Sequence, residues 1–388
     1  MTLDLTADQR LFQQTAREFL AETVPVATVR ALGEAETGFD RDWWRSATEL
    51  GWTAMLVAEE HGGGSISGRP LTELSLVAGE LGRACAPGPF VTTNAVLAGL
   101  ASAGAGFGDT ISGIAAGELV ASWAVYEPGR GMEVMYPGAD GHGGPGSADS
   151  RVRAVPEGDG YLLSGIKDRV ESGDQADVFL VTAQGPDGPV QMVVPADTAG
   201  VTVTPTWTLD LVRRTARIEF DRVAVPAGAV AHTGAEAAAA VRAQLHTAAV
   251  LTAAEVVGAT DMAVEATLGW LADRFTFGRP LASYQALKHR MADNKTWLEA
   301  CRATAAAAAA ACDDDPATAD EAVSVAKSYV GAKAPVIGQD CVQLHGGIGV
   351  TWEHDLHLYL RRIGLGRALY GTPEEHRRRI TDLLVAAA

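Results

Sequence analysis

Basic side chains are scarce in this sequence: 31 lysines and arginines stand against 48 aspartates and glutamates, a formal charge of −17. A concentrated basic surface is what neutralises phosphates, so its shortage argues against nucleic acid as a partner. Cysteine is sparse too, and Cys85, Cys301, Cys312 and Cys341 form no CxxC pair and no zinc spacing. On one continuous helix Cys301 and Cys312 lie about 16 Å apart at 1.5 Å per residue, too far for a bridge, so buried free thiols are expected. No apolar run crosses a bilayer uninterrupted, because the best candidate, Ala248 to Val264, contains Glu255 and Asp261. The opening segment MTLDLTADQR lacks the basic-then-apolar order of an export signal, so a cytoplasmic chain with no membrane role is expected.

What is present is length and apolar content. At roughly 150 residues per domain, 388 residues with 47 % apolar side chains make two or three domains with large cores. Residues 1–117 read as helical. Thr6 with Gln9 is a capping-box signature, and Leu11, Phe12, Ala16, Phe19 and Leu20 follow at helical spacing. Ser46 to Trp52 and Leu71 to Leu81 repeat that pattern on either side of a Gly62-Gly63-Gly64 loop.

From 118 to 230 the character changes. Short β-rich bursts, among them Asp177 to Thr182, Val190 to Val194, Val201 to Thr204 and Ala216 to Phe220, are separated by turn signals such as Glu157 to Gly160 and Gly185 to Gly188. This predicts an antiparallel β-domain, with a mobile loop in the glycine-rich stretch Gly138 to Gly146. From 231 to 388 the chain is alanine-rich and helical, over Ala235 to Leu271, Ser283 to Ala311, Thr318 to Val342 and Glu353 to Leu369, with Asp313 to Pro316 ending the second. The helix–sheet–helix order makes an α+β protein built around a bundle.

Two short patterns carry little chemistry. Gly364-Leu-Gly366 lacks the third glycine of a dinucleotide fingerprint and follows no predicted strand. His354 and His357 share a helical face with no further ligand cluster, so no metal site is expected.

Three longer stretches are specific. Arg274 to His289 resembles the helix-joining signature of the acyl-CoA dehydrogenase family. Gln343 to Arg362, with Gly346, Gly347, Gly349 and Glu353, is similar to that family's C-terminal signature, and Ala124 to Gly131 to its flavin-side strand and turn. The resemblance covers nearly the whole chain and implies an N-terminal helical domain, a middle antiparallel β-domain and a C-terminal four-helix bundle. It also implies FAD bound across a subunit boundary, with an acyl-CoA or acyl-carrier thioester as substrate. Arg274 is then expected on the pyrophosphate, where a planar permanent cation suits the anion. Thr276, Phe277, Gln285, Gln343, Gly346, Gly347, Thr372 and Tyr126 complete the implied cofactor contacts.

The family reaction needs a carboxylate to remove the acyl α-proton while the β-hydride passes to flavin N5. The two positions that supply it in different members hold Tyr370, directly before Gly371-Thr372, and Ala248. A free tyrosine, with pKa about 10, is mostly protonated at neutral pH. Glu255, two helical turns beyond Ala248 or about 10 Å along the axis, is too far to substitute and reads as a buried or capping carboxylate. The flavin face is altered as well: Tyr126 stands where a threonine is usual, Met132 where a serine is usual, and Arg169 and Glu171 where a tryptophan and a threonine are usual. Either Glu171 repels the reduced flavin beside it, or Arg169 and Glu171 form a pair on a solvent-facing strand.

The ADP-gripping segments are therefore intact while those facing this chain's own flavin are not. Some actinobacterial members of the family work as mixed tetramers in which one subunit type carries the base, and this chain resembles the base-lacking partner. Two other readings stand beside it: a self-sufficient homo-oligomeric flavoenzyme using Tyr370, and a cofactor-free structural or binding protein with the same fold.

Overall fold

A computed structural model describes residues 5–136, 144, 151–316 and 318–387. The glycine-rich stretch 138–146 expected to be a mobile loop lies, apart from Gly144, outside the described residues. The N-terminal layer comprises α1 (Ala7–Thr23), α2 (Val26–Glu34), α3 (Arg41–Thr48), α4 (Pro70–Ala84), α5 (Phe90–Leu100) and α6 (Gly108–Ala115). The capping box forms as expected: the Thr6 hydroxyl accepts from Gln9 N at 3.2 Å, while Gln9 Oε1 accepts from Thr6 N at 3.0 Å. The helix expected over Ser46 to Trp52 instead starts at Arg41, because the Asp40 carboxylate caps it through Trp43 N, and is over by Thr48. Gly51 then turns the chain at φ 84°.

A sheet follows, formed by β1 (Ala121–Ala124), β2 (Arg153–Glu157), β3 (Gly160–Glu171), β4 (Val178–Gly185), β5 (Gly188–Pro195), β6 (Val201–Thr206), β7 (Thr215–Val225) and β8 (Val230–Thr233). The strand order is β6-β7-β3-β2-β4-β5-β8, and β1 attaches to β4. Pairing is antiparallel except that β1 and one residue pair of β2 run parallel to β4, since β1 enters from α6 rather than from a hairpin. In β3 the register shifts between Lys167 and Val170, where Arg169 takes φ 49°. Such a bulge re-aims the side chains around it.

The C-terminal layer holds α7 (Gly234–Asp273), the two-residue strands β9 (Phe275–Thr276) and β10 (Arg279–Pro280), α8 (Gln285–Asp314), α9 (Ala319–His345), α10 (Leu356–Ala368) and α11 (Pro373–Ala386). The apolar stretch of α7 is 89 % buried within the fold, which accounts for its hydrophobicity without a bilayer. Asp313 reaches back to cap α4, accepting from Leu71 N and Thr72 N at 2.8 Å each. Gly366, half of the rejected glycine motif, is a packing residue: a Cβ there would lie 2.3 Å from Val256 Cγ2 on α7.

The two helical layers meet at a contact without side chains. A Cβ on Gly258 of α7 would lie 1.9 Å from the Gly79 carbonyl oxygen of α4, and one on Gly82 would lie 1.9 Å from the Glu255 carbonyl. Both partners are backbone, so relief requires moving a helix. Gly258→Ala is expected to destabilise the chain by about 1–3 kcal/mol or more, read as a lower urea midpoint. An unchanged midpoint would show that these helices slide apart freely.

Candidate functional site

The expected cofactor residues separate into two groups. Arg274, Thr276, Phe277, Gln285, Gln343, Gly346 and Gly347 lie along an outer edge, whereas Tyr126 and Tyr370 are buried and Thr372, two residues on, is half-buried.

The outer edge is built by two turns. Phe277 and Gly278 join β9 to β10 with φ 50° and 78°, the positive values of a tight primed hairpin. Tyr284 braces this hairpin, donating its hydroxyl to the Thr276 carbonyl at 2.8 Å, and Gln285 then opens α8. Phe277 stands 94 % exposed at the tip. The second turn ends α9 at Gly346, with φ 68°. An aromatic seam connects the two: Trp270 stacks on His345 at 5.5 Å, and the Arg274 guanidinium lies 5.8 Å from the Trp270 ring. His354 meets His345 at 4.6 Å and His357 stacks on Trp352, so both histidines take part in packing.

This edge fits an anionic nucleotide. Arg274 is exposed, and among the described residues no carboxylate pairs with it. A Cβ at Gly278, Gly346 or Gly347 would meet nothing within 4 Å, leaving room for close approach to the backbone. Among the described residues the buried His345 Nε2 has no hydrogen-bond partner.

The inner group is closed. Tyr370, at φ 54°, is 4 % exposed and stacks on Trp123 at 6.1 Å and 7°. The Tyr126 hydroxyl accepts from Tyr370 N at 2.6 Å, and the Arg169 guanidinium covers the Tyr126 ring at 4.3 Å while donating to the Glu127 and Arg130 carbonyls. Thr372 caps α11, exchanging hydrogen bonds with Glu375, and Glu375 Oε1 accepts from Met132 N at 2.7 Å. Lys327 of α9 donates to the Gly366 and Leu369 carbonyls at 2.7 Å each, fixing the turn that carries Tyr370. Burial raises the Tyr370 phenol well above its usual value, with Glu171 adding to the effect, so it stays neutral at physiological pH.

Glu171 is not paired with Arg169. The bulge breaks the alternation that would put the two on one face, and Glu171 turns inward, 3 % exposed. Its partner is Arg213 on the turn between β6 and β7, at 2.7 Å. Arg213 also donates to Glu255 Oε1 at 2.6 Å, and Arg362 of α10 donates to the same oxygen at 2.6 Å. Arg362 reaches Asp210 Oδ2 at 2.6 Å and the carbonyls of Cys85 and Ala86 at 3.1 and 3.0 Å. Glu255 is thus the buried carboxylate the sequence suggested, held by two guanidiniums. Among the described residues three carboxylates face two cations here, and Glu171 Oε1 lacks a hydrogen-bond partner. Burial accordingly pushes the Glu171 carboxyl up, against the pull of Arg213, whereas Arg362 and two backbone N–H groups hold Asp210 below its usual value despite its burial.

Sequence reasoning missed Asp210 and Arg213 altogether, and quoted Arg362 only as part of a motif. Nothing local marks them, because their partners arrive from other elements.

The comparisons agree with this architecture. Residues 6–107 match the acyl-CoA dehydrogenase N-terminal domain and residues 237–384 the acyl-CoA dehydrogenase C-terminal domain. The acyl-CoA dehydrogenase IpdE2 of Mycolicibacterium smegmatis is 29 % identical over 377 residues, covering 97 % of this chain and 98 % of the relative. Among solved structures, a variant of the Tcur3481–Tcur3483 steroid ACAD superposes with TM-score 0.85 at 29 % identity, covering 98 % of this chain and 99 % of the other. The ChsE4–ChsE5 complex of Mycobacterium tuberculosis gives TM-score 0.85 at 25 % identity, with 99 % of each chain covered. The helical layers, the intervening sheet and the two signature turns together place this chain in the acyl-CoA dehydrogenase family.

Proposed function

We propose that this chain is the base-lacking subunit of a heteromeric, FAD-dependent acyl-CoA dehydrogenase. It lends its outer edge to the cofactor of a base-bearing partner, and the pair desaturates the Cα–Cβ bond of an acyl thioester. The observation that carries this reading is the contrast between the two halves of its site: an open, glycine-lined edge carrying Arg274 and facing outward, and an inner side where the buried rings of Tyr126, Trp123 and Tyr370 pack on one another. Two of the solved relatives bear the names of two different chains, in keeping with such an assembly.

When bound, the flavin supplies the hydride acceptor. This chain's own residues hold and orient it: Arg274 offers a fork of donors to the pyrophosphate, Gln343 and the open backbone at Gly346 and Gly347 receive the adenosine end, and Phe277 covers apolar surface. The α-proton goes to a carboxylate of the partner. Neither Tyr370, buried and neutral, nor Ala248, which has no titratable group, takes it.

Coexpression with family chains of the source genome that carry a carboxylate directly before their Gly-Thr is the test. A yellow complex that oxidises an acyl-CoA, where neither chain alone does so, is expected. Full flavin occupancy and turnover by this chain alone would defeat the proposal. In the active complex, Tyr370→Phe of this chain is expected to change kcat less than about twofold, because the phenol transfers no proton. A loss of about 100-fold or more, within the range of general-base catalysis, would instead make Tyr370 the base.

A further inference from the structure

Two tryptophans are displayed on one side of the molecule by segments held rigid from beneath. Trp207 and Leu209, on the turn between β6 and β7, are 86 % and 53 % exposed, and Trp352, just beyond the Gly346 turn, is 51 % exposed. They form one patch. Arg361 donates to the Leu209 carbonyl at 3.0 Å and lies 5.6 Å from the Trp352 ring. Arg30 of α2 stands over the same ring at 5.7 Å, and Arg214 lies 5.8 Å from the Trp207 ring while donating to carbonyls at the end of α2.

The loop carrying Trp207 and Leu209 is anchored by the buried charge network and by Arg214 and Arg361, so its exposed tip loses little freedom on docking. Preorganised tryptophans beside arginines are the composition of an interface hot spot. Among the described residues neither Arg214 nor Arg361 pairs with a carboxylate; both donate to backbone carbonyls. Arg30 is paired with Asp355 at 2.7 Å, so Arg214 and Arg361 supply the positive charge of the patch, on a chain of net charge −17. A two-fold contact between two copies would set arginine against arginine, which disfavours a second copy as the occupant. Trp352 also continues directly from the nucleotide-facing turn at Gly346 and Gly347.

We infer that the Trp207–Leu209–Trp352 patch is a docking surface for the base-bearing subunit, which meets it with apolar side chains ringed by carboxylates. This rests on the function proposed above. The test uses the coexpressed complex and its dissociation constant by sedimentation. Trp207→Ser and Trp352→Ser are each expected to weaken assembly about 30-fold or more, as hot-spot residues do. Arg361→Glu is expected to weaken it as well, and Leu384→Ser, exposed on α11, to leave it unchanged. The tryptophans are surface groups, so thermal melts of the isolated variants check that folding is intact. A flavin-bearing active complex whose affinity is indifferent to both tryptophans overturns this inference and leaves the proposed function standing. Failure of every base-bearing family chain to associate overturns both. Tight self-association of this chain that Trp207→Ser abolishes would make the occupant a second copy, which also overturns it.

Discussion

Arg362→Leu is expected to destabilise the protein by about 3–5 kcal/mol, the magnitude seen when one member of a buried charge pair is removed. The guanidinium is 1 % exposed and serves Asp210, Glu255 and the carbonyls of Cys85 and Ala86. Leucine fills part of the volume but takes the guanidinium away from both buried carboxylates, leaving Glu255 to Arg213 alone and Asp210 to the backbone N–H groups of Val212 and Arg213, and it removes the donor of two carbonyls. The loss is a large fraction of a typical folding free energy, so an unfolded or aggregating variant is within the expected range. Arg378→Leu, on the exposed face of α11, is the control and stays within about 0.5 kcal/mol. Equilibrium urea unfolding of both variants measures the difference. If Arg362→Leu unfolded at the wild-type midpoint, the network would be incidental to the fold.

Arg274→Ala has its large effect elsewhere. The side chain is exposed and packs over Trp270, so the melting temperature of the isolated chain is expected hardly to move. In the assembled complex it is expected to remove the proposed charge-assisted contact to the pyrophosphate, worth about 1.5–3 kcal/mol, and to weaken flavin retention about 10- to 100-fold. The absorbance ratio of flavin to protein after gel filtration reads this directly, and Arg274→Lys recovers part of it by keeping the charge without the planar fork. Equal flavin content in wild type and Arg274→Ala would remove the outer edge from cofactor binding. Distinguishing this from failed assembly needs only the subunit ratio in the same fraction.

The long alanine-rich helices and strands such as Val178–Gly185 and Thr215–Val225 were legible in the sequence because each is dictated by local periodicity and local turns. The same holds for the Thr6 capping box. Helix α3 was misplaced because its cap, Asp40, precedes a stretch whose aromatic spacing continues beyond Gly51. At the site, Tyr370 and Ala248 were assigned to the two base positions by their distance from motifs, which the sequence shows directly. What surrounds them was not legible. Glu171 finds Arg213 42 residues away, and Arg362 finds Glu255 across 107 residues. The pairing of Arg169 with Glu171 followed from regular strand alternation, and one residue at positive φ was enough to undo it.

The closure of the N-terminal layer by later residues also bears on biosynthesis. Leu71 waits for a cap 242 residues downstream, and the carbonyl of Cys85 for a donor 277 residues downstream. At roughly 5–20 residues per second on the ribosome, that second delay is roughly 14–55 s. Until α7 (Gly234–Asp273) has been made, within that interval, the face of α4 that will meet it remains open to whatever else the cell contains. A nascent chain of this protein is thus a client for chaperones before it is a candidate for assembly.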